Sequence, residues 1–393
     1  MSPSDFPETR ELSAAEKARY SRHLILHEVG LEGQRTLKNS SVLCVGAGGL
    51  GSPLLMYLAA AGVGRIGVVD FDKVEVSNLQ RQVVHNTSSV GKSKVQSASE
   101  RIAEINPHVK VDAIESSISS ANALRILKPY DVIVDGTDNF PTRYLINDAC
   151  VILGKPNIYG SIFKFEGQAS VFNYQNGPNY RDLFPDPPPP GLVPSCAEGG
   201  VLGVLPGVIG AIQATETIKV LLQHEGTLSG RLLLYNALDM SFREMQLRKD
   251  PNQQPITTLI DYDQFCGSPA QDTDKNQMDD IKSQSFQRID ASEANNRRQN
   301  GWKPFILDVR RPPEAEIVRF AWADLLHPHD DVSSVASKLP RDRDILVHCK
   351  LGHRSAMACQ TLANLGFSPE RLFNLEGGII QWATTVDPSM PVY

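Results

Sequence analysis

The residues with the sharpest chemistry lie near the C-terminus, in the run Val347-His348-Cys349-Lys350-Leu351-Gly352-His353-Arg354-Ser355. A short apolar run, Ile345-Leu346-Val347, precedes the cysteine, and a helical pattern from Ala356 to Leu365 follows it. That order puts the Cys349 thiol at a strand's end, facing the N-terminus of the next helix. Unpaired N–H groups and the helix dipole at such a point favour an anion. A free thiol has a pKa of about 8.5, and these surroundings draw it toward the nucleophilic thiolate. Gly352 lets the loop curl so that successive N–H groups face inward. Arg354 adds a fixed positive charge. The pattern predicts a site for a charged sulfur species.

Two other readings compete. One is a buried core cysteine beside a basic surface turn. The other is a cysteine phosphatase, whose loop places five residues between Cys and Arg. Here four residues separate Cys349 from Arg354, and the tighter loop suits a terminal sulfur atom better than a tetrahedral phosphate. The stretch resembles the active loop of rhodanese sulfurtransferases, which carry a cysteine persulfide. The strand and turn Phe305-Ile306-Leu307-Asp308-Val309-Arg310-Arg311-Pro312-Pro313-Glu314 and the segment Leu375 to Trp382 carry the same resemblance. The Gly-His-Ile-Pro-Gly-Ala segment usual in that family is replaced by Phe320-Ala321-Trp322-Ala323-Asp324.

A second constellation lies near the N-terminus. Ser41-Val42-Leu43-Cys44-Val45 reads as a buried parallel strand. Gly46-Ala47-Gly48-Gly49-Leu50-Gly51 follows, then a small-residue helix from Ser52 to Ala61 and a second strand, Arg65 to Val69, ending in Asp70. The glycines permit a tight turn and close backbone approach to phosphates, and the helix supplies N–H donors. Asp70, 19 residues after Gly51, stands where a carboxylate accepts hydrogen bonds from ribose hydroxyls. A nicotinamide dehydrogenase fits this loop taken alone. Beyond it, Asn78 and Arg81 sit on a polar segment, and Lys92 and Lys94 open a helix. Several cations close behind a phosphate loop suit a triphosphate. A third strand, Asp131 to Asp135, runs into Gly136-Thr137-Asp138-Asn139. Asp138 is placed to hold Mg²⁺ through oxygen, or to cap the helix from Phe140 to Ala149.

These segments resemble the MoeB/ThiF family of adenylating enzymes, relatives of the ubiquitin-activating enzymes. Arg19-Tyr20-Ser21-Arg22, the loop Gly46 to Gly51, Asp70-Phe71-Asp72, Ser77 to Gln82, Lys94 and Gly136 to Asn139 carry the match, which extends from about Ser13 to Gly267. The resemblance implies ribose binding by Asp70 and phosphate binding by Gly46, Gly48, Gly49, Gly51, Asn78, Arg81 and Lys94, with Asp138 serving Mg²⁺. It implies an obligate homodimer in which Arg22 reaches into the partner's site. It also suggests that Cys196, on a segment after Asp186-Pro187-Pro188-Pro189-Pro190-Gly191, forms a covalent or disulfide link to the activated carrier. Many relatives bind zinc with two Cys-x-x-Cys pairs. The first position here reads Asn179-Tyr180-Arg181-Asp182, and no cysteine falls between Arg248 and Pro255. No zinc is predicted, and packing is expected to stabilise that corner.

Composition narrows the class. At 393 residues the chain exceeds one ordinary domain. A net charge of −6 with no basic tract argues against nucleic-acid binding. No apolar run reaches membrane-spanning length, and the N-terminus lacks the pattern of a signal sequence. Six cysteines without a Cys-x-x-Cys pair give neither a disulfide framework nor a zinc pattern. A reducing cytoplasm fits. The expected fold is α/β, with a Rossmann-like ATP-binding adenylating domain over 1–266, a linker over 267–283 and an α/β rhodanese domain over 284–393.

Together the resemblances imply a two-step activity. ATP adenylates the Gly-Gly carboxylate of a small ubiquitin-like sulfur-carrier protein. A Cys349 persulfide, loaded by a desulfurase or thiosulfate, then gives a thiocarboxylate, with Arg354, Arg81, Lys94 and Cys196 assisting catalysis. Such products serve molybdopterin and, in some relatives, thiamin or tRNA thiolation. Three alternatives stay open: a rhodanese half that only docks, a nicotinamide oxidoreductase fused to a sulfurtransferase, and a nucleotide-sensing scaffold without turnover.

Overall fold

Three short runs rich in Val, Ile and Leu, ended by glycine or aspartate, become central parallel strands of the first half of the chain. The computed structural model describes residues 11–188, 200–267 and 286–393. The chain divides into two units, Met1–Gln271 and Asp272–Tyr393. The first holds strands β1 (Ser41–Val45), β2 (Arg65–Asp70), β3 (Lys110–Glu115), β4 (Val132–Asp135), β5 (Asn157–Phe163), β6 (Glu166–Phe172), β7 (Arg231–Asn236) and β8 (Ser241–Gln246). They form one sheet in the order β3-β2-β1-β4-β5-β6-β7-β8. β1 to β5 pair in parallel. β5-β6, β6-β7 and β7-β8 are antiparallel, an extension the sequence patterns do not announce.

Alternate residues of β1 enter different cores. Val42 and Cys44 pack in one cluster, Leu43 and Val45 in another, as the two-residue period of a strand requires. Helices α1 (Gly51–Ala61), α2 (Lys94–Ile105), α3 (Phe140–Leu153) and α4 (Leu205–Leu221) complete the layers that concern the site. α1 stops at Gly62, whose left-handed φ of +83° caps its last carbonyls. The strand order reverses beside β1, which has β2 on one side and β4 on the other. A ligand crevice opens at the strand ends there in sheets of this type.

The second unit is a parallel sheet of β9 (Gln287–Ile289), β10 (Phe305–Asp308), β11 (Leu325–Leu326), β12 (Ile345–His348) and β13 (Leu372–Leu375), ordered β11-β10-β12-β13-β9. Helices α5 (Pro312–Ile317), α6 (His353–Asn364) and α7 (Gly378–Thr385) follow β10, β12 and β13. The segment Phe320 to Asp324 forms part of this core. Phe320 stacks on Trp322 at 4.2 Å, meets Trp382 at 5.1 Å and lies 4.5 Å from the His348 ring. Asp324 accepts the Ile306 N–H at 2.7 Å. The replacement is an aromatic wall beside the strand that leads into Cys349.

Candidate active sites

In the first unit, β1 and β4 end side by side, and the glycine loop occupies the gap. Gly46 has φ +99°, and a Cβ there would stand 2.9 Å from the Gly136 carbonyl oxygen. A Cβ on Gly51 would lie 2.1 Å from the Gly46 carbonyl oxygen. These two glycines are demanded by backbone crossing backbone. Gly48 and Gly49 are roomier, with nearest neighbours to an added Cβ at 3.7 and 3.2 Å. Among the described residues, no protein acceptor takes the N–H of Gly48, Gly49 or Leu50. N–H donors left without a protein acceptor at the start of a helix are the arrangement that receives an anion.

Asp70 ends β2 beside this loop. Its Oδ2 accepts the Ala47 N–H at 2.8 Å and its Oδ1 the Asp72 N–H at 2.9 Å. Each oxygen keeps acceptor capacity for a hydroxyl. Lys94, the first residue of α2, is buried with its Nζ 2.7 Å from Asp72 Oδ2. The sequence marks Lys94 as a phosphate ligand; the structure adds Asp72 as its counter-ion. Asn78 is buried, and its Oδ1 accepts the Glu75 N–H at 3.1 Å, which fixes the turn that carries it. Arg81 donates from Nη1 to the Ser77 carbonyl at 3.2 Å. Gln82 is buried beneath Gly48 with Oε1 unpartnered. Lys92 points elsewhere, pairing with Glu100 at 2.9 Å.

The other expected residues are placed less centrally. Asp138 is exposed at the end of β4. It does not cap α3: Asn139 does, accepting the Thr142 N–H at 3.0 Å. The helix expected to end at Ala149 runs on to Leu153. Arg22 is exposed on the short helix Ser21–Leu24, where its side chain forms no hydrogen bond or ion pair among the described residues. Cys196 lies outside the described residues.

Beneath the site, Asp135 is fully buried. Its Oδ1 accepts the Thr137 N–H and hydroxyl, and its Oδ2 lies 3.6 Å from Arg143 Nε. Burial raises its pKa, and the Arg143 charge opposes that. Arg143 also donates to the Thr137 carbonyl at 3.0 Å, so this pair sets the turn that presents Asp138.

At the corner where the sequence lacks cysteine pairs, polar bonds join the segments 179–182 and 250–253. Asp182 accepts the Asn179 N–H at 2.7 Å through Oδ2 and the Asp250 N–H at 2.8 Å through Oδ1. Asn179 Nδ2 donates to Gln253 at 2.7 Å. Arg181 makes a two-pronged pair with Asp148, both bonds 2.8 Å, and Tyr262 donates its hydroxyl to the same carboxylate at 2.7 Å. Beyond the packing expected from the sequence, hydrogen bonds join the two segments, and the ion pair ties Arg181 to α3. Among the described residues no group of three or more His, Cys, Asp or Glu side chains could hold a metal.

In the second unit Cys349 follows β12 directly and is buried. Its Sγ accepts the Gly352 N–H at 3.1 Å and the Ser355 hydroxyl at 3.4 Å. Gly352 has φ +96° and starts α6, so the thiol does face a helix N-terminus. The loop's carbonyls are turned away from the sulfur. Cys349 and Lys350 give theirs to the N–H groups of Ile379 and Ile380 at 2.9 and 3.2 Å, in the first turn of α7. Gly378 permits this approach, since a Cβ there would stand 2.5 Å from both carbonyl oxygens.

Arg354 is not a free cation beside the sulfur. It is buried and held by Glu314 of α5. Glu314 also accepts the Arg311 N–H at 3.1 Å and the Tyr393 hydroxyl at 3.2 Å. Burial raises the Glu314 pKa, but the bonds from Arg354 and the Arg311 N–H outweigh it and hold the carboxyl below its usual range. Tyr393 places its ring 4.6 Å from Lys350 Nζ and accepts from Arg310 Nη1 at 2.9 Å. Burial pushes its hydroxyl up to about 12. Arg310 in turn grips Asp308 through Nε and Nη2 at 2.9 and 2.6 Å. The sequence supplies Glu314 within the Asp-Val-Arg turn but nothing to tie it to Arg354, and Tyr393 carries no local signal.

Residues 20–256 match the ThiF family, and residues 290–385 match the rhodanese-like domain. The chain is 49% identical to the probable adenylyltransferase/sulfurtransferase MoeZ of Mycobacterium tuberculosis, over 97% of this chain and 96% of that protein. It is 43% identical to the adenylyltransferase and sulfurtransferase MOCS3 of Anopheles gambiae, over 98% of this chain and 90% of that one. In fold it is similar to E. coli MccB crystallised with ATP, with a TM-score of 0.54 and 22% identity, over 64% of this chain and 77% of that chain. The glycine loop lies within the first match and the thiol loop within the second. The chain belongs to the ThiF family, here joined to a rhodanese-like domain, and is an adenylyltransferase and sulfurtransferase.

Proposed function

We propose that the first unit uses ATP to adenylate the C-terminal Gly-Gly carboxylate of a small ubiquitin-like sulfur-carrier protein, and that a persulfide on Cys349 converts the product to a thiocarboxylate. The observation that carries this reading is the Cys349 sulfur, turned toward the Gly352 N–H and Ser355 hydroxyl, in the same chain as a glycine loop whose Gly48, Gly49 and Leu50 N–H groups meet no protein acceptor among the described residues.

The carboxylate oxygen attacks the α-phosphorus, the bond to the bridging oxygen breaks, and pyrophosphate leaves. Gly48 and Gly49 donate N–H groups to phosphate oxygens. Lys94 and Arg81 offset the growing negative charge, and Asn78 adds a neutral donor. Fixed donors of this sort are worth about 10²–10³ in rate each. Asp70 holds the ribose hydroxyls. Asp138, a single exposed carboxylate, fits a magnesium ion that brings its other ligands from phosphate and water. Such an ion would supply charge neutralisation on the nucleotide. Arg22 acts in the partner's site of a homodimer.

The terminal sulfur of the Cys349 persulfide attacks the acyl carbon, the acyl–oxygen bond breaks, and AMP leaves. An acyl disulfide on Cys349 results. A second thiol, Cys196 in this reading, attacks the Cys349 sulfur, frees the thiocarboxylate and leaves a disulfide for a dithiol reductant. A desulfurase persulfide or thiosulfate reloads the Cys349 thiolate. The thiocarboxylate serves molybdopterin synthesis, with thiamin and tRNA thiolation as further outlets.

The test is mass spectrometry of candidate Gly-Gly carriers after incubation with the full chain, MgATP and a sulfur donor. Exchange of one oxygen for one sulfur is the expected result. An adenylate without sulfur would remove the Cys349 step, and an unchanged carrier would overturn the whole reading.

A further inference from the structure

His85 lies outside every role assigned above, yet it is buried against the glycine loop. Its Nε2 is 3.0 Å from the Ala47 carbonyl oxygen and its Nδ1 is 2.9 Å from the Ser97 hydroxyl. A carbonyl only accepts, so Nε2 carries the proton and Nδ1 accepts from Ser97. Burial lowers the ring's pKa; the Ala47 bond and the Asp70 charge work against that, and the Lys94 charge adds to it.

The Ala47 residue is therefore held at both ends. Its N–H goes to Asp70 at 2.8 Å and its carbonyl to His85. In a planar trans peptide the carbonyl of one residue and the N–H of the next point in opposite directions. A carbonyl drawn inward to His85 turns the Gly48 N–H outward, and no protein acceptor among the described residues takes it. The bonds also close a circuit. Ser97 and Lys94 share α2. Lys94 pairs with Asp72, and the Asp72 N–H bonds Asp70, which holds Ala47.

We propose that His85 is a positioning residue for the nucleotide: it aims the Gly48 N–H at a phosphate through the Ala47 carbonyl, and through Ser97 it fixes that loop relative to the helix carrying Lys94. This rests on the reading of the glycine loop as the phosphate site. The carbonyl of residue 47 is the part that matters, so any side chain that donates to it in place of Nε2 preserves the function.

The test is calorimetric binding of ATP and of adenosine to the full chain and its variants. His85→Phe keeps the ring's bulk and removes the donor. It is expected to weaken ATP about fivefold or more, the scale of one lost hydrogen bond, while adenosine changes much less. His85→Gln, whose amide can donate to Ala47, restores ATP binding to near the wild-type value. Ser97→Ala, a milder change, weakens ATP about two- to threefold. ATP binding unaltered in His85→Phe, equal losses for ATP and adenosine, or no rescue by Gln would overturn the proposal. Should the Phe variant not fold, an unaltered Ser97→Ala variant would overturn it. A wild-type chain that binds no ATP would sink the phosphate-site reading itself, and this inference with it.

Discussion

Glu314 and Arg354 face each other in a two-pronged ion pair, Oε2 to Nη1 at 2.7 Å and Oε1 to Nη2 at 2.6 Å. The pair ties α5 to the first turn of α6, and so fixes the helix end that Cys349 faces. The carboxylate matches the charge of the guanidinium.

Removing the carboxylate should leave a buried, unmatched guanidinium. Glu314→Ala is expected to destabilise the second unit by about 3 kcal/mol, read from urea unfolding of the full chain. Thiosulfate sulfurtransferase activity should fall with it. The depressed Glu314 pKa means that the stabilisation is present above the unfolded carboxyl pKa and lost as pH falls through the lower, folded value. Unchanged unfolding would show the pair to be ornamental.

His348 gives a separate acid limb. It is fully buried beside Cys349, and burial lowers its pKa to about 4, with the Asp308 charge only partly opposing. The unfolded ring takes its proton near pH 6.5. Stability is thus complete above that value, declines as pH falls toward about 4, and then levels for this group. The decline should reach about 3 kcal/mol, and His348→Phe should flatten it. A pH profile of unfolding that is level from 7 to 4.5 in the wild type would contradict the burial argument.

The two reactions should separate by mutation. Lys94→Ala is expected to lower carrier-dependent pyrophosphate exchange at least about 100-fold. Cys349→Ala should leave exchange within about twofold and abolish thiocarboxylate formation, since removing an interaction made in a later step leaves the earlier barrier intact. Equal thiocarboxylate yield from Cys349→Ala would reduce the second unit to a docking role.

Neighbouring glycines in the loop should differ sharply in tolerance. Gly51→Ala drives a methyl against the Gly46 carbonyl at 2.1 Å. Backbone must move, at a cost above about 3 kcal/mol. Gly48→Ala meets nothing closer than Gln82 Nε2 at 3.7 Å, and its effect on stability should stay within about 1 kcal/mol. Thermal unfolding of the two variants side by side decides this.

The polar corner should be indifferent to chelators. Prolonged treatment with a strong zinc chelator is expected to leave the melting temperature unchanged. Asp182→Ala, which removes the acceptor of the Asn179 and Asp250 N–H groups, should cost about 0.5–1.5 kcal/mol. A chelator-induced fall in melting temperature would reveal a metal there.

The linear order of residues determined the parts. Ser41–Val45 and Ile345–His348 read as strands because buried parallel strands are unbroken apolar runs, and glycines after them mark loops where backbone meets backbone. Asp70, Lys94 and Cys349 were legible because their spacing from those elements is local. The antiparallel extension β6 to β8, the Glu314–Arg354 pair and the His85–Ala47 bond were not. The β6-β7 pairing, the ion pair and the His85 bond join residues far apart in the chain or depend on which way a peptide plane faces, while the turns 164–165 and 237–240 contain no glycine to mark their hairpins. The Asn139 cap was missed for a smaller reason: two adjacent residues, Asp138 and Asn139, can both cap, and only the backbone angles at the helix start choose between them. Sequence thus determined which side chains could do chemistry; the packing of helices on the two sheets decided which of them are charged, aimed or neutralised.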